Sequence, residues 1–174
     1  LDSPCIYPTA IEGFNLVRRE DVGTPEQCFE KPLVGLVVQG TKHSLMGGRE
    51  FVYTENQCIV AGIDMPISSY VINPTHETPF LFLYLYLDRH LLSSLTLEMK
   101  HNFPETSEDC TSVSIADAGS DILEMFLRLV DLLEKPEQIS IRAPMMLREL
   151  HYLLLISPHG NILRQLNTPG TQNN

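Results

Sequence analysis

LVGLVVQGTKHSLMGGREFVYTENQCIVAGIDMPISSYVINPTHETPFLFLYLYL, residues 33–87, is the stretch whose reading decides the fold. Short runs of Val, Ile, Leu, Phe and Tyr are broken by Gly, Pro, Asn and Asp, the spacing of antiparallel strands joined by tight turns. Strands are predicted over 33–39, 41–46, 49–53, 57–63, 67–72 and 80–87. Gly47-Gly48 is a hairpin signal, because type I′ and II′ turns need positive φ. The first strand is apolar on both faces and is therefore expected to be covered twice. On the last, Leu81, Leu83, Leu85 and Leu87 share one face, and Phe82, Tyr84 and Tyr86 share the other.

Working outward, residues 14–19 alternate and predict another strand, after a loose lead-in over 1–12. Beyond 87 the pattern turns helical. Asp88 is a candidate N-cap for a helix over 89–99, its carboxylate able to accept from the free first-turn amides. Residues 102–117 read as a polar loop. Asp121 and Glu124 form a candidate capping pair for a helix over 122–135. Further helices are expected over 140–156, with Pro144 in an early turn, and over 161–166. The tail, 168–174, is expected to be disordered. Consecutive strands followed by consecutive helices predict an α+β fold. In it, an antiparallel β-barrel with its lead-in (1–87) carries a helical segment (88–167), all as one domain.

A chain of 174 residues, 43% of them hydrophobic, can build one substantial core. Its 12 basic and 22 acidic residues give a net charge of -10, with no basic cluster of the kind that grips phosphates. No run approaches the roughly 20 apolar residues that span a bilayer. The four cysteines show no CxxC pair and read as free thiols of a cytoplasmic protein. There is no GxSxG and no phosphate-binding glycine loop. The six histidines show neither HxH nor HExxH spacing. No enzyme activity, metal or cofactor is expected. The alternative is a cupin-type metal enzyme recruiting His43 and His76 with Glu50 or Glu77. A third reading is a ligand-free protein-interaction module.

Tyr53, Tyr70, Tyr84 and Tyr86 all fall on predicted strands. Tyrosines lining a barrel supply the apolar walls and few polar groups of a ligand cavity; equally, they are ordinary strand aromatics with hydroxyls at the rim. The helix over 140–156 carries more apolar residues than one core stripe needs. Met146, Leu147, Leu150 and Leu154 are the candidate dimer-interface residues. The other reading of that surplus sandwiches the helix between the barrel and the preceding helix.

The run from LVVQGTKHSL to FLYLYLD resembles the N-terminal domain of a subfamily of AraC-type transcriptional regulators. LRELHYLLLISPHGNILRQLN, residues 147–167, is similar to that family's "GPHG…LRQL" segment, with Ser157 in place of the usual Gly. The resemblance implies a cupin-like jelly-roll barrel that senses a small-molecule effector, followed by helices that make a homodimer. It also implies that DNA is contacted only through a C-terminal domain absent from this chain. The resemblance transfers no ligand contacts residue by residue. Strand position suggests Leu36, Val38, Tyr53, Tyr70, Phe82, Tyr84 and Tyr86, with His43 near the mouth, and one register step on any strand exchanges its faces.

Overall fold

The computed structural model describes residues 5–21, 27–28, 31–62, 66–99 and 113–166. Among these residues ten strands come in the order β1 (Cys5–Pro8), β2 (Phe14–Arg19), β3 (Gln27–Cys28), β4 (Leu33–Gln39), β5 (Thr41–Met46), β6 (Arg49–Thr54), β7 (Gln57–Ala61), β8 (Pro66–Val71), β9 (Phe80–Tyr86) and β10 (Val113–Asp117). The helices are α1 (Arg89–Glu98), α2 (Gly119–Leu132), α3 (Ile139–Leu155) and α4 (Gly160–Leu166). One sheet has six strands in the order β1-β2-β9-β4-β7-β10, the other four in the order β3-β8-β5-β6. Every pairing is antiparallel. The fold is α+β, a cupin-like jelly-roll barrel with helices laid on one side.

The six-stranded sheet is buried on both faces. Its inner face meets the four-stranded sheet through Val17, Leu33, Val37, Ile59, Phe80, Phe82 and Tyr84, against Met46, Tyr53, Ile67 and Val71. Its outer face meets the helices through Phe14, Val34, Leu36, Cys58, Val60 and Leu85, against Phe126, Leu129, Leu150 and Leu154. Cys58 is a free thiol in that second core, and burial pushes it up to about 12.

Asp88 caps α1 as expected, accepting from the Leu91 amide at 3.0 Å. Three expectations are corrected. The lead-in holds β1, an edge strand whose Pro8 is tolerated because its outer side needs no donor. The loop read over 102–117 contains β10, which pairs with β7 from Val113↔Ala61 to Asp117↔Gln57. Helix α2 starts at Gly119 after an Ala118 N-cap without a side-chain bond, so Asp121 lies in the first turn and does not cap. Its carboxylate there still favours the positive helix end. The tail over 168–174 and the rest of the loop, to 112, lie outside the described residues.

Gly35 lets the inner core close. A Cβ there would lie 2.0 Å from the tip of the Phe82 ring. Gly35→Ala is therefore expected to destabilise the protein by about 1–3 kcal/mol through overpacking. Adding Phe82→Leu should restore part of the loss; urea denaturation of the four proteins of the cycle checks this coupling.

Candidate functional site

β9 reads FLFLYLY, and its alternation aims Phe80, Phe82, Tyr84 and Tyr86 between the two sheets. Their rings form a row with successive centroids 6.0, 6.3 and 5.6 Å apart. Lys31 reaches the far end, its Nζ 5.5 Å above the Tyr86 ring. From the facing sheet, β5 points Lys42, Ser44 and Met46 inward, and the hairpin register places Tyr53 opposite Lys42.

The polar groups of this interior are few and specific. Ser44 Oγ and the Tyr53 hydroxyl share a buried hydrogen bond of 2.9 Å. Burial, only partly offset by that bond, pushes the Tyr53 phenol up to about 12. Burial does the same to Tyr84, with Tyr86 beside it adding to the effect. The Lys42 Nζ lies 5.9 Å from the Phe80 ring centre and 5.8 Å from that of Phe82. Burial, with the like charge of Arg19, pulls its amine down to about 8. Part of the Lys42 side chain still reaches solvent, but protein atoms crowd its charged end.

The suggested ligand residues separate into distinct places. Tyr53, Phe82, Tyr84 and Tyr86 come together between the sheets. Leu36 faces the helices instead, because β4 has the opposite parity, with Leu36 opposite Leu83. Val38 is exposed at the register shift between Val37 and Gln39. Leu36 and Val38 border a groove of about 510 Å³ between the outer sheet face and α2, whose far wall is Leu123, Phe126, Leu127 and Val130. Tyr70 is 46% exposed on the outside of the four-stranded sheet, where it stacks on His43 at 4.8 Å. The His43 Nε2 lies 3.8 Å from Glu50, and His76 bonds Glu20 at 2.9 Å. Among the described residues no group of three His, Cys, Asp or Glu side chains could hold a metal ion. Lys42 and Arg19 were not among the expected ligand residues. The hairpin pairing of Lys42 with Tyr53 was the available signal, since directly opposed residues share a face.

Of the dimer-interface candidates, Met146, Leu150 and Leu154 are buried in the sheet–helix core and Leu147 is half-buried against it. A second cavity, of about 700 Å³, opens between α3 and the start of α1, with Tyr86, Asp88, Leu147 and His151 on its walls.

The SPHG turn is explained by packing. A Cβ on Gly160 would lie 2.2 Å from the Leu155 carbonyl oxygen, so no side chain fits. The Ser157 hydroxyl donates to the Leu154 carbonyl at 2.6 Å and accepts from the His159 amide at 3.1 Å. The buried His159 ring bonds Ser114 of β10 at 2.8 Å through Nδ1, while its Nε2 has no partner. Burial pulls this imidazole down to about 4. Below about pH 6.5 the unfolded chain takes up a proton that the folded chain resists. Stability is therefore expected to fall as pH drops from about 6.5 towards 4, by at most about 1.4 kcal/mol per pH unit from this group. His159→Gln should flatten that fall in urea titrations, leaving the part due to His151, which burial also holds down.

Comparison with known proteins places this geometry in a family. Residues 10–162 match the family described as the AraC-type transcriptional regulator N-terminus. No curated protein matches the chain. Among solved structures, apo ToxT K231A from Vibrio cholerae strain SCE256 superposes with a TM-score of 0.63 at 7% identity, over 92% of this chain and 59% of that one. Wild-type ToxT from the same strain, bound to an unsaturated fatty acid, gives 0.62 at 7% identity, over 89% and 55%. This chain thus spans little more than half the length of those proteins, and at such identity the likeness is one of fold. On its sequence match and its barrel-plus-helix architecture, the chain belongs to the AraC-type transcriptional regulator N-terminal family.

Proposed function

We propose that this chain is the effector-sensing and dimerisation part of a cytoplasmic AraC-type regulator, without catalytic activity of its own. In this reading a small molecule binds between the two sheets. The observation that carries it is the mixed lining there: a row of aromatic rings with Lys42, Ser44, Tyr53 and Tyr84 as its polar groups. Sites that hold small organic ligands combine apolar walls with a few placed polar groups in this way. ToxT, which shares the fold, has been solved with an unsaturated fatty acid bound, and that supports a ligand-holding role for such a domain. DNA contact is assigned to a domain outside this chain, in keeping with the net charge of -10. Among the described residues no helix is long and apolar enough to cross a membrane.

Fluorinated tyrosine gives a direct test, because the six tyrosines report from different places. An effector that binds between the sheets should shift the Tyr53 and Tyr84 signals and raise the melting temperature. It should leave the outward Tyr70 signal in place. Movement of Tyr70 alone would put the ligand elsewhere.

The same proposal includes a homodimer along the outer face of α3. Ile141 is 68% exposed and Met145 60%, and with Ile156 they repeat on one helical face. Leu147 lies away from that face, half-buried against the core, and Met146, Leu150 and Leu154 point inward. Met145→Glu is expected to weaken self-association roughly tenfold or more in analytical ultracentrifugation, with the melting temperature nearly unchanged. Leu150→Glu should instead lower the melting temperature, because it buries an unpaired charge. An unchanged dimer mass for Met145→Glu would move the seam off this face.

A further inference from the structure

We propose that Arg19 and Lys42 form a binding site for the anionic group of an organic acid, at the end of the barrel marked by Phe80. The inference deepens the sensing reading above and rests on it.

Arg19 closes β2 and is the ladder partner of Phe80, so it stands on the inner face beside that ring, as Val17 stands beside Phe82. Lys42 comes from the opposite sheet and carries its ammonium across the gap to both rings. Two cations, one from each sheet, are thus placed at Phe80. No described carboxylate forms an ion pair with either of them; the described ion pairs use Arg18, His43, His76, Arg128 and Arg148. The charged neighbour felt by Lys42 is Arg19, whose like charge opposes protonation of the amine.

A crowded ammonium facing a second cation is costly in a ligand-free protein, and ring faces only partly compensate. Filling this position with an apolar residue would relieve that cost. Such local conflicts are expected at functional sites. An incoming anion removes the repulsion and adds charge-assisted bonds. The Arg19 guanidinium offers a two-pronged donor that fits a carboxylate or phosphate, and Lys42 offers a point charge. Behind them the row from Phe80 to Tyr84 offers apolar faces for the body of the ligand. The ligand class is therefore a small organic acid, a carboxylate or phosphate monoester, with a flat apolar body.

The test uses three probes with one body and different charge: phenyl phosphate, benzoate and benzyl alcohol. Binding is followed by calorimetry and by the fluorinated Tyr53 and Tyr84 signals. Both acids should bind roughly tenfold or more tighter than the alcohol. Lys42→Met should erase most of that advantage while keeping the affinity for the alcohol. Without ligand, Lys42→Met and Arg19→Met should each melt a few degrees higher than the parent, because a repulsion is gone. Equal binding of acids and alcohol, with the tyrosine signals moving, overturns the anion site and leaves the sensing site standing. Silence of both tyrosines with all three probes overturns both. A Lys42→Met protein that melts lower than the parent shows the amine held by a carboxylate of this chain, and overturns the anion site.

Discussion

The structure depends on one sheet that must be covered on both faces. Six strands cannot leave either side of β4 or β9 to water, since Leu33 and Val37 face one way and Val34 and Leu36 the other. The four-stranded sheet and the helices are the two covers. Burial at roughly 25 cal/mol per Å² of apolar surface on both faces supplies the main driving force. The barrel and the helical segment are in this sense two lids on one layer. Helix α2, otherwise uncapped by a side chain, is held by Met125, Phe126 and Leu129 against that layer.

The two faces of β9 do different work. Its leucines, with Leu85 fully enclosed, are hydrocarbon packing against the helices. Its aromatic residues face an interior that also holds a lysine, a serine and tyrosine hydroxyls. Each of these polar groups costs desolvation on burial. Under the proposed sensing reading, the difference between the faces separates stability from recognition along a single strand. Phe82, Tyr84 and Tyr86 each neighbour a leucine packed against the helix-side core, so a displaced ring strains the sheet on which the helices rest.

Much of the architecture was legible along the chain. Strand alternation found β2, β4, β5, β6 and β9 almost to their ends, and the Asp88 cap located α1. These signals are local: a period of two, a glycine turn, an oxygen placed before free amides. β10 escaped because VSIAD has weak alternation of its own and becomes a strand only by pairing with β7. The first turn of α2 escaped for a similar reason, since its start follows β10 rather than a capping side chain.

The sequence by itself determined the order of strands and helices, the acidic charge, the hairpin at Gly47-Gly48 and the two faces of β9. Each follows from residue spacing and backbone preference within a few positions. Only the tertiary structure decided that Leu36 belongs to the helix side, that Tyr70 and His43 stack outside, and that Leu150 and Leu154 are core. It also set Lys42, from the facing sheet, beside the Phe80 ring whose ladder partner is Arg19. Such facts turn on register and on which sheet covers which. A shift of one residue, as between Val37 and Gln39, exchanges inside for outside without changing any local pattern.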